Sequence, residues 1–248
     1  MSDPISRPDG GYAFIKGGEN PFSLGIACLP GHALTRVRFR KPPPLAEGLA
    51  QAAAHIKAQG RPLAALAACE LRSPAQMSSA DFTAFNQSYV EMLRANGFPA
   101  EPPFPLARSN VAMFIDPPAA HTLYAFTYTI ATPGATSARD YLISGMPDSI
   151  KGPVRTRVAD GDPSPAGTEK KAAHVFDGLR ERARDLGADW SDITGIQSYT
   201  ARAIEPVVKL LSRYGLSHVG LTAHPALPPV LLSEFEADVR AVSVERVI

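Results

Sequence analysis

The order of secondary-structure signals in this chain runs through twice, and that repetition limits its fold more than any single motif does. In the first half, "SLGIACLPGHALTRVRFRK" (residues 23–41) reads as two strands around a Pro-Gly turn. "PPLAEGLAQAAAHIKAQG" then sets Leu45, Leu49, Ala52 and Ile56 at helical spacing, with Gly60 as a stop. "LAALAACELRS" predicts a buried strand. "SSADFTAFNQSYVEMLRANG" predicts a helix, with an N-cap serine and Phe82, Phe85, Tyr89 and Met92 on one face. Two strands follow, "SNVAMFI" and "TLYAFTYTI".

The second half keeps that order. "ARDYLISGMPD" opens with a strand, and "GTEKKAAHVFDGLRERARDLG" is an amphipathic helix built on Ala172, Phe176, Leu179, Ala183 and Leu186. "DITGIQSYT" is a strand, "AIEPVVKLLSRYG" a helix, "HVGLTAHPALPPV" a short strand and loop, and "LSEFEADVRAVSVE" a long closing strand. Landmarks pair as well: Gly97 with Gly215 at an offset of 118 residues, and Pro117-Pro118 with Pro228-Pro229 at 111. A period this long indicates a duplicated domain, since solenoid units run to about 20–50 residues. The expected domains are 1–133 and 134–248. Each would be an α+β unit of order β-β-α-β-α-β-β with both helices on one sheet face. The bare sheet face would need a partner, which packing of sheets in an oligomeric core would supply.

Composition narrows the function classes. Lys plus Arg is 25 and Asp plus Glu is 24, with no basic run, so nucleic acid is not an expected partner. No apolar stretch reaches the about 18 residues a membrane span needs, and "MSDPISRPDGGYAF" lacks a signal core. Cys28 and Cys69 form no metal-ligand cluster and read as reduced core residues, so a cytoplasmic globular protein is expected. The 24 prolines fall between periodic segments and punctuate them.

"PFPLARSNVAMF" places Arg108 where a proline-rich loop meets a strand about to be buried. Together with "FNQSYVEML" before it, this segment resembles the RidA/YjgF family of enamine/imine deaminases. "YLISGMP", "DWSDITGIQSYT" and "LPPVLLSEFEADV" resemble other stretches of the same family, so the likeness covers most of residues 20–245 in two copies. Within it, "PLAEGL", "ACELRSP", "ARSNV" and "GLTAHPALPPV" are similar to the two-copy 2-aminomuconate and 2-amino-5-chloromuconate deaminases. The implied fold is two tandem RidA/YjgF-like (chorismate-mutase-like) units. The implied assembly is a homo-oligomer, a trimer or a multiple of one.

The resemblance also implies roles. Arg108 would clamp a substrate carboxylate, a task suited to its planar fork, with Ser109 beside it as a donor; an ordinary ion pair is the plainer alternative. Asn86 would bind the same ligand or else a neighbouring loop. In "LSEFEADVR", alternation puts Glu234, Glu236 and Asp238 on one face, and the family pattern puts the water-positioning acid at Glu234. A solvated strand face is the alternative there. His224 lies near the arginine position of the second copy, as a proton shuttle, a second carboxylate receptor or a packed side chain. Ser144 and Gly145 would present backbone N–H groups to the ligand or form a plain turn. Glu70 and Arg72 read as an active-site or a structural pair.

Neither copy carries the full set. "TLYAFTYTI" lacks the glutamate and "GLTAHPAL" lacks the arginine. A composite site or one decayed pocket would follow. The expected activity is hydrolytic deamination of an enamine or imine dicarboxylate, with no metal and no organic cofactor. A 2-aminoacrylate-type deaminase and a non-catalytic binder of small carboxylates are the alternatives.

Overall fold

The computed structural model describes residues 3–18, 22–132, 139–150 and 156–248. In the first half the strands are β1 (Ile5–Arg7), β2 (Tyr12–Ile15), β3 (Gly25–Cys28), β4 (His32–Arg38), β5 (Leu66–Ser73), β6 (Ala107–Met113) and β7 (Thr122–Ala131). Helices α1 (Leu45–Ala58) and α2 (Ser79–Ala95) lie between them. In the second half come β8 (Tyr141–Pro147), β9 (Ser149–Ile150), β10 (Thr156–Arg157), α3 (Pro165–Asp185), β11 (Gly195–Thr200), α4 (Glu205–Arg213), β12 (Thr222–His224), β13 (Ala226–Leu227), β14 (Phe235–Ala241) and β15 (Val244–Val247).

The helices begin and end where local chemistry demands. Ser78 Oγ accepts from Asp81 N at 3.1 Å and Ser164 Oγ from Gly167 N at 3.1 Å, so each hydroxyl caps a free amide of the first turn. Gly60 follows α1 at φ +68°, a left-handed position that favours glycine.

Two mixed sheets result, ordered β1-β2-β3-β8-β14-β11-β12 and β13-β6-β5-β7-β4-β15. Helices α1 and α2 cover the six-stranded sheet through Leu49, Ile56, Leu71, Tyr89 and Phe126. Helices α3 and α4 cover the seven-stranded sheet through Phe176, Leu179, Val207, Leu210 and Phe235. The other sheet faces meet each other, with Tyr12, Phe14 and Ile26 against Leu34, Ala67 and Ala107. The layers therefore run helix, sheet, sheet, helix. Each fully buried Phe or Leu in these cores contributes about 1.5–3 kcal/mol relative to exposure.

This corrects the expected fold. Two self-contained RidA-like units with sheets hidden in an oligomeric core are not what forms, because the two sheets bury each other within one chain. They also exchange strands. β1, β2 and β3 join the sheet of β8, β14 and β11, while β13 and β15 flank the sheet of the first half. The boundary expected at 133/134 lies outside the described residues.

Two local readings change for the same reason. The Pro-Gly turn does not close a hairpin: β3 pairs with β2 and β8, and β4 with β7 and β15. Gly31, at φ +78°, turns the chain from one sheet to the other. The closing strand likewise splits, with β14 in one sheet and β15 parallel to β4 in the other. Asp140 ties this crossing down, accepting from Leu34 N at 2.7 Å, Ser243 N at 2.9 Å and Ser243 Oγ at 2.9 Å. Among the described residues no helix is long and apolar enough to cross a membrane.

Candidate active site

A cavity of about 300 Å³ opens where the halves meet. Phe22, Arg108 and Asn110 line it from the first half, and Gly145, Arg182 and Glu236 from the second. Strand β14 explains the glutamate. Phe235, Ala237 and Val239 belong to the core under α3 and α4, so Glu236 and Asp238 point the other way.

Glu236 is only 3% exposed. Burial, then the charge of Asp238, push its pKa up to about 8 against the pull of Arg108 and Arg182. The side chain has room because its neighbour on β8 has none. A Cβ built on Gly145 would collide with Glu236 Oε1. Gly145 sits in an irregular stretch: the β14–β8 register shifts between Ala237 and Val239, so Ser144 and Gly145 together face Asp238. Such bulges re-aim side chains.

A buried cation, Arg108, and a half-buried one, Arg182, flank the acid. The Arg108 guanidinium lies 4.1 Å from the Phe22 ring centroid and 5.3 Å from that of Tyr89. Its Nη1 is buried without a hydrogen-bond partner among the described residues. Burial lowers its pKa to about 10, which leaves it charged at neutral pH. Arg182 comes from α3, where His174, Gly178 and Arg182 recur every four residues and so share one face. Arg182 Nη1 donates to Ser144 O at 3.2 Å, and burial lowers its pKa to about 10 as well. His174 Nε2 and Asn110 Nδ2 are further buried polar atoms on this wall with no partner among the described residues.

Of the residues singled out in the sequence, the cavity brings together Arg108, Ser144 and Gly145. Ser144 Oγ accepts from Arg108 N at 3.1 Å and donates to Ser23 O at 2.6 Å, fixing the seam between the halves. Ser109 lies on the opposite side of β6, where it hydrogen-bonds Asp238. Asn86 is buried in α2 away from the cavity wall.

Glu234 does not line the cavity. It sits one residue before β14 and pairs with Lys171 at 3.1 Å and with Arg202. Burial acts to raise its pKa, and these two cations outweigh that and hold it low. His224 is not there either. It stacks on Tyr199 with centroids 5.2 Å apart, and its Nε2 lies 3.0 Å from Gln197 Oε1 between the sheets. Burial and Arg72 bring its pKa down to about 4, so it is neutral at pH 7. Glu70 and Arg72 do not pair with each other. Glu70 takes a two-pronged bond from Arg36, at 2.5 and 2.8 Å, and Arg72 lies 3.9 Å over the Tyr124 ring.

The model of a protein family described as 2-aminomuconate deaminase CnbZ matches residues 4–246. The chain belongs to that family. A relative from Comamonas testosteroni, a 2-amino-5-chloromuconate deaminase, is 36% identical over 252 residues spanning 100% of both chains. Among solved structures, a chorismatase aligns with 92% of this chain and 79% of its own at 14% identity and a TM-score of 0.48. A cyanuric acid hydrolase aligns with 86% of this chain and 68% of its own at 10% identity and a TM-score of 0.40. The placement with RidA/YjgF proteins, read from short motifs, finds no support in these matches.

In this deaminase-family chain two residues of the cavity escaped the sequence reading. Glu236 stood in the acidic alternation but one turn of the pleat past the acid chosen. Arg182 was hidden in a helix that reads as an ordinary amphipathic one. The signal available was the glycine at 178, a helix-weakening residue midway between His174 and Arg182. It gives Met146 space, since a Cβ there would collide with the Met146 side chain. Among the described residues no group of three or more His, Cys, Asp or Glu is placed to hold a metal ion.

Proposed function

We propose that this chain hydrolyses a conjugated enamine dicarboxylate, 2-aminomuconate or a chlorinated analogue, to the 2-oxo acid and ammonia. The observation that carries this reading is one buried carboxyl group sharing the wall of one cavity with a buried and a half-buried guanidinium. The family and the 36% identical relative support the substrate class.

Each group has a task. Arg108 and Arg182 receive the two carboxylates, and apolar neighbours such as Phe22 and Val230 hold the carbon chain. Glu236, protonated below about pH 8, gives its proton to the enamine carbon, which leaves an iminium. The carboxylate so formed takes a proton from water as the oxygen bonds to the iminium carbon. The hydroxyl proton of the resulting carbinolamine passes to nitrogen, the C–N bond breaks, and ammonia leaves as the carbonyl forms. Glu236 ends protonated, as it began. No electron carrier enters this balance and no Lewis acid is required, so activity should survive extended chelation. A one-carboxylate enamine such as 2-aminoacrylate would leave Arg182 without an anion, which disfavours that alternative.

Ammonia release from freshly generated 2-aminomuconate tests the reading. Turnover by the wild type and its loss in Glu236→Gln are expected. No turnover by folded wild-type protein would overturn the assignment.

A further inference from the structure

Behind the cavity lies a second void of about 20 Å³, walled by Arg108, Ser109, Ser144, Glu70 and Asp238. Asp238 is two residues from Glu236 on the same face of β14, and it too is buried, at 5% exposure. The mechanism above makes no use of it. Two carboxylates this close in a water-poor interior do not both ionise readily, so the pair tends to keep one proton.

Hydrogen bonding decides which of them keeps it. Asp238 accepts from Tyr199 Oη at 2.7 Å, from Gln197 Nε2 at 3.1 Å and from Ser109. Gln197 is itself fixed, since its Nε2 also donates to Glu70 at 3.0 Å and its Oε1 contacts His224. Among the described residues no hydrogen bond is formed to the Glu236 carboxyl. Donors aimed at a carboxylate favour its charged form, and three converge on Asp238.

We propose that Asp238 is a positioning residue: its anchored carboxylate keeps the one proton of the pair on Glu236, at the cavity wall. The inference rests on the proposed function for its meaning, because Glu236 is the acid there. Burial and the charge of Glu70 raise the Asp238 pKa too, but Tyr199 and Ser109 pull it back down, whereas Glu236 has no hydrogen-bond donor among the described residues to do so and is raised by burial and by Asp238. The other charged and titratable groups around the pair are Arg108 from β6, Arg182 and His174 from α3, and Asp148 after β8. On the Asp238 side they are Glu70, which is bonded to Arg36, and Arg240.

The test is a direct titration of Glu236 by carboxyl infrared difference spectra, wild type minus Glu236→Gln, repeated in backgrounds carrying Asp238→Asn and Tyr199→Phe. Asp238→Asn removes the neighbouring charge with little change of shape. It should lower the Glu236 midpoint by about one pH unit or more, a tenfold or greater loss of proton affinity. Tyr199→Phe, which takes away one donor and keeps the buried ring, should move the midpoint the same way by less. The alkaline limb of kcat/KM should move with the midpoint. An unmoved midpoint in either folded variant overturns the proposal, whatever the activity. If instead the midpoint moves while Glu236→Gln turns over normally, the coupling stands and the catalytic reading of Glu236 fails.

Discussion

Arg108 on β6 and Glu236 on β14 belong to opposite halves of the chain and to different sheets, and they line one cavity. Each half lacks what the other supplies. The reciprocal pairing, His224 of the second half with residues of the first, is filled by its own side chains. His224 stands edge-on to Tyr124 at 5.8 Å, and Arg72 covers the same ring. One cross-half combination thus lines a cavity and the other is packed.

The proposed function gives Arg108 a charge-assisted contact in both ground and transition states, so Arg108→Ala should raise KM strongly. The expected loss is roughly 2–4 kcal/mol, on the order of 30- to 1,000-fold in kcat/KM. Arg108→Lys should restore only part of it, because an ammonium lacks the fork. Steady-state kinetics on folded variants check this. Arg182→Ala should lose the same range on 2-aminomuconate and little on a one-carboxylate enamine.

Glu236 and Glu234 should separate cleanly. Glu236→Gln should lower kcat by about 10²- to 10⁴-fold with a smaller change in KM, since proton transfer is a transition-state contribution. Glu234→Gln should leave turnover near that of the wild type and weaken the fold. It removes the carboxylate partner of Lys171, whose side chain is 2% exposed, at a cost of about 1–3 kcal/mol. Denaturant melts and initial rates on both variants decide it.

Activity should be flat below about pH 8 and fall above it as Glu236 loses its proton. Stability should fall over the same range with a defined sign. The unfolded glutamate titrates at about 4.3. The folded one holds its proton to about 8. The native state therefore binds more protons between these values, and stability present below the lower one is lost as pH rises through the higher. Asp148, raised by burial to about 6, adds the same sign in the lower part of that window. Melting temperatures across pH 4–9 should fall less steeply in Glu236→Gln, and an identical slope would contradict the assignment.

Gly145→Ala should depress kcat far more than stability. The new methyl would meet the end of the Glu236 side chain, which can swing away, so the acid and not the backbone is displaced. A loss of about 10²-fold is expected, in line with misplacement of a catalytic group. Wild-type turnover in this variant would show that Glu236 needs no such position.

The sequence by itself determined the four helices, most of the central strands and several anchors, though not β1, β2 or the split between β14 and β15. Helical spacing marked α1 to α4, the capping serine marked the start of α2, and alternation set Glu236 and Asp238 on one face of a strand. Arg108 stood out because a cation at a buried strand mouth needs a reason. These are local properties, set by periods of about 3.6 and 2 residues and by single-residue chemistry. Which strands pair is not local. "SLGIACLPGHALTRVRFRK" suits a hairpin as well as a crossing, and only packing of both sheets in one chain selected the crossing. The acid expected from the resemblance, Glu234, is not the one at the cavity for the same reason. Glu234 and Glu236 share a parity, and the end of β14, with Lys171 and Arg202 beside it, drew the first into ion pairs and left the second at the cavity. Arg182 had no signature of its own on an amphipathic helix. Its place at the cavity exists only because α3 lies along β8, where the carbonyl of Ser144 takes up its guanidinium.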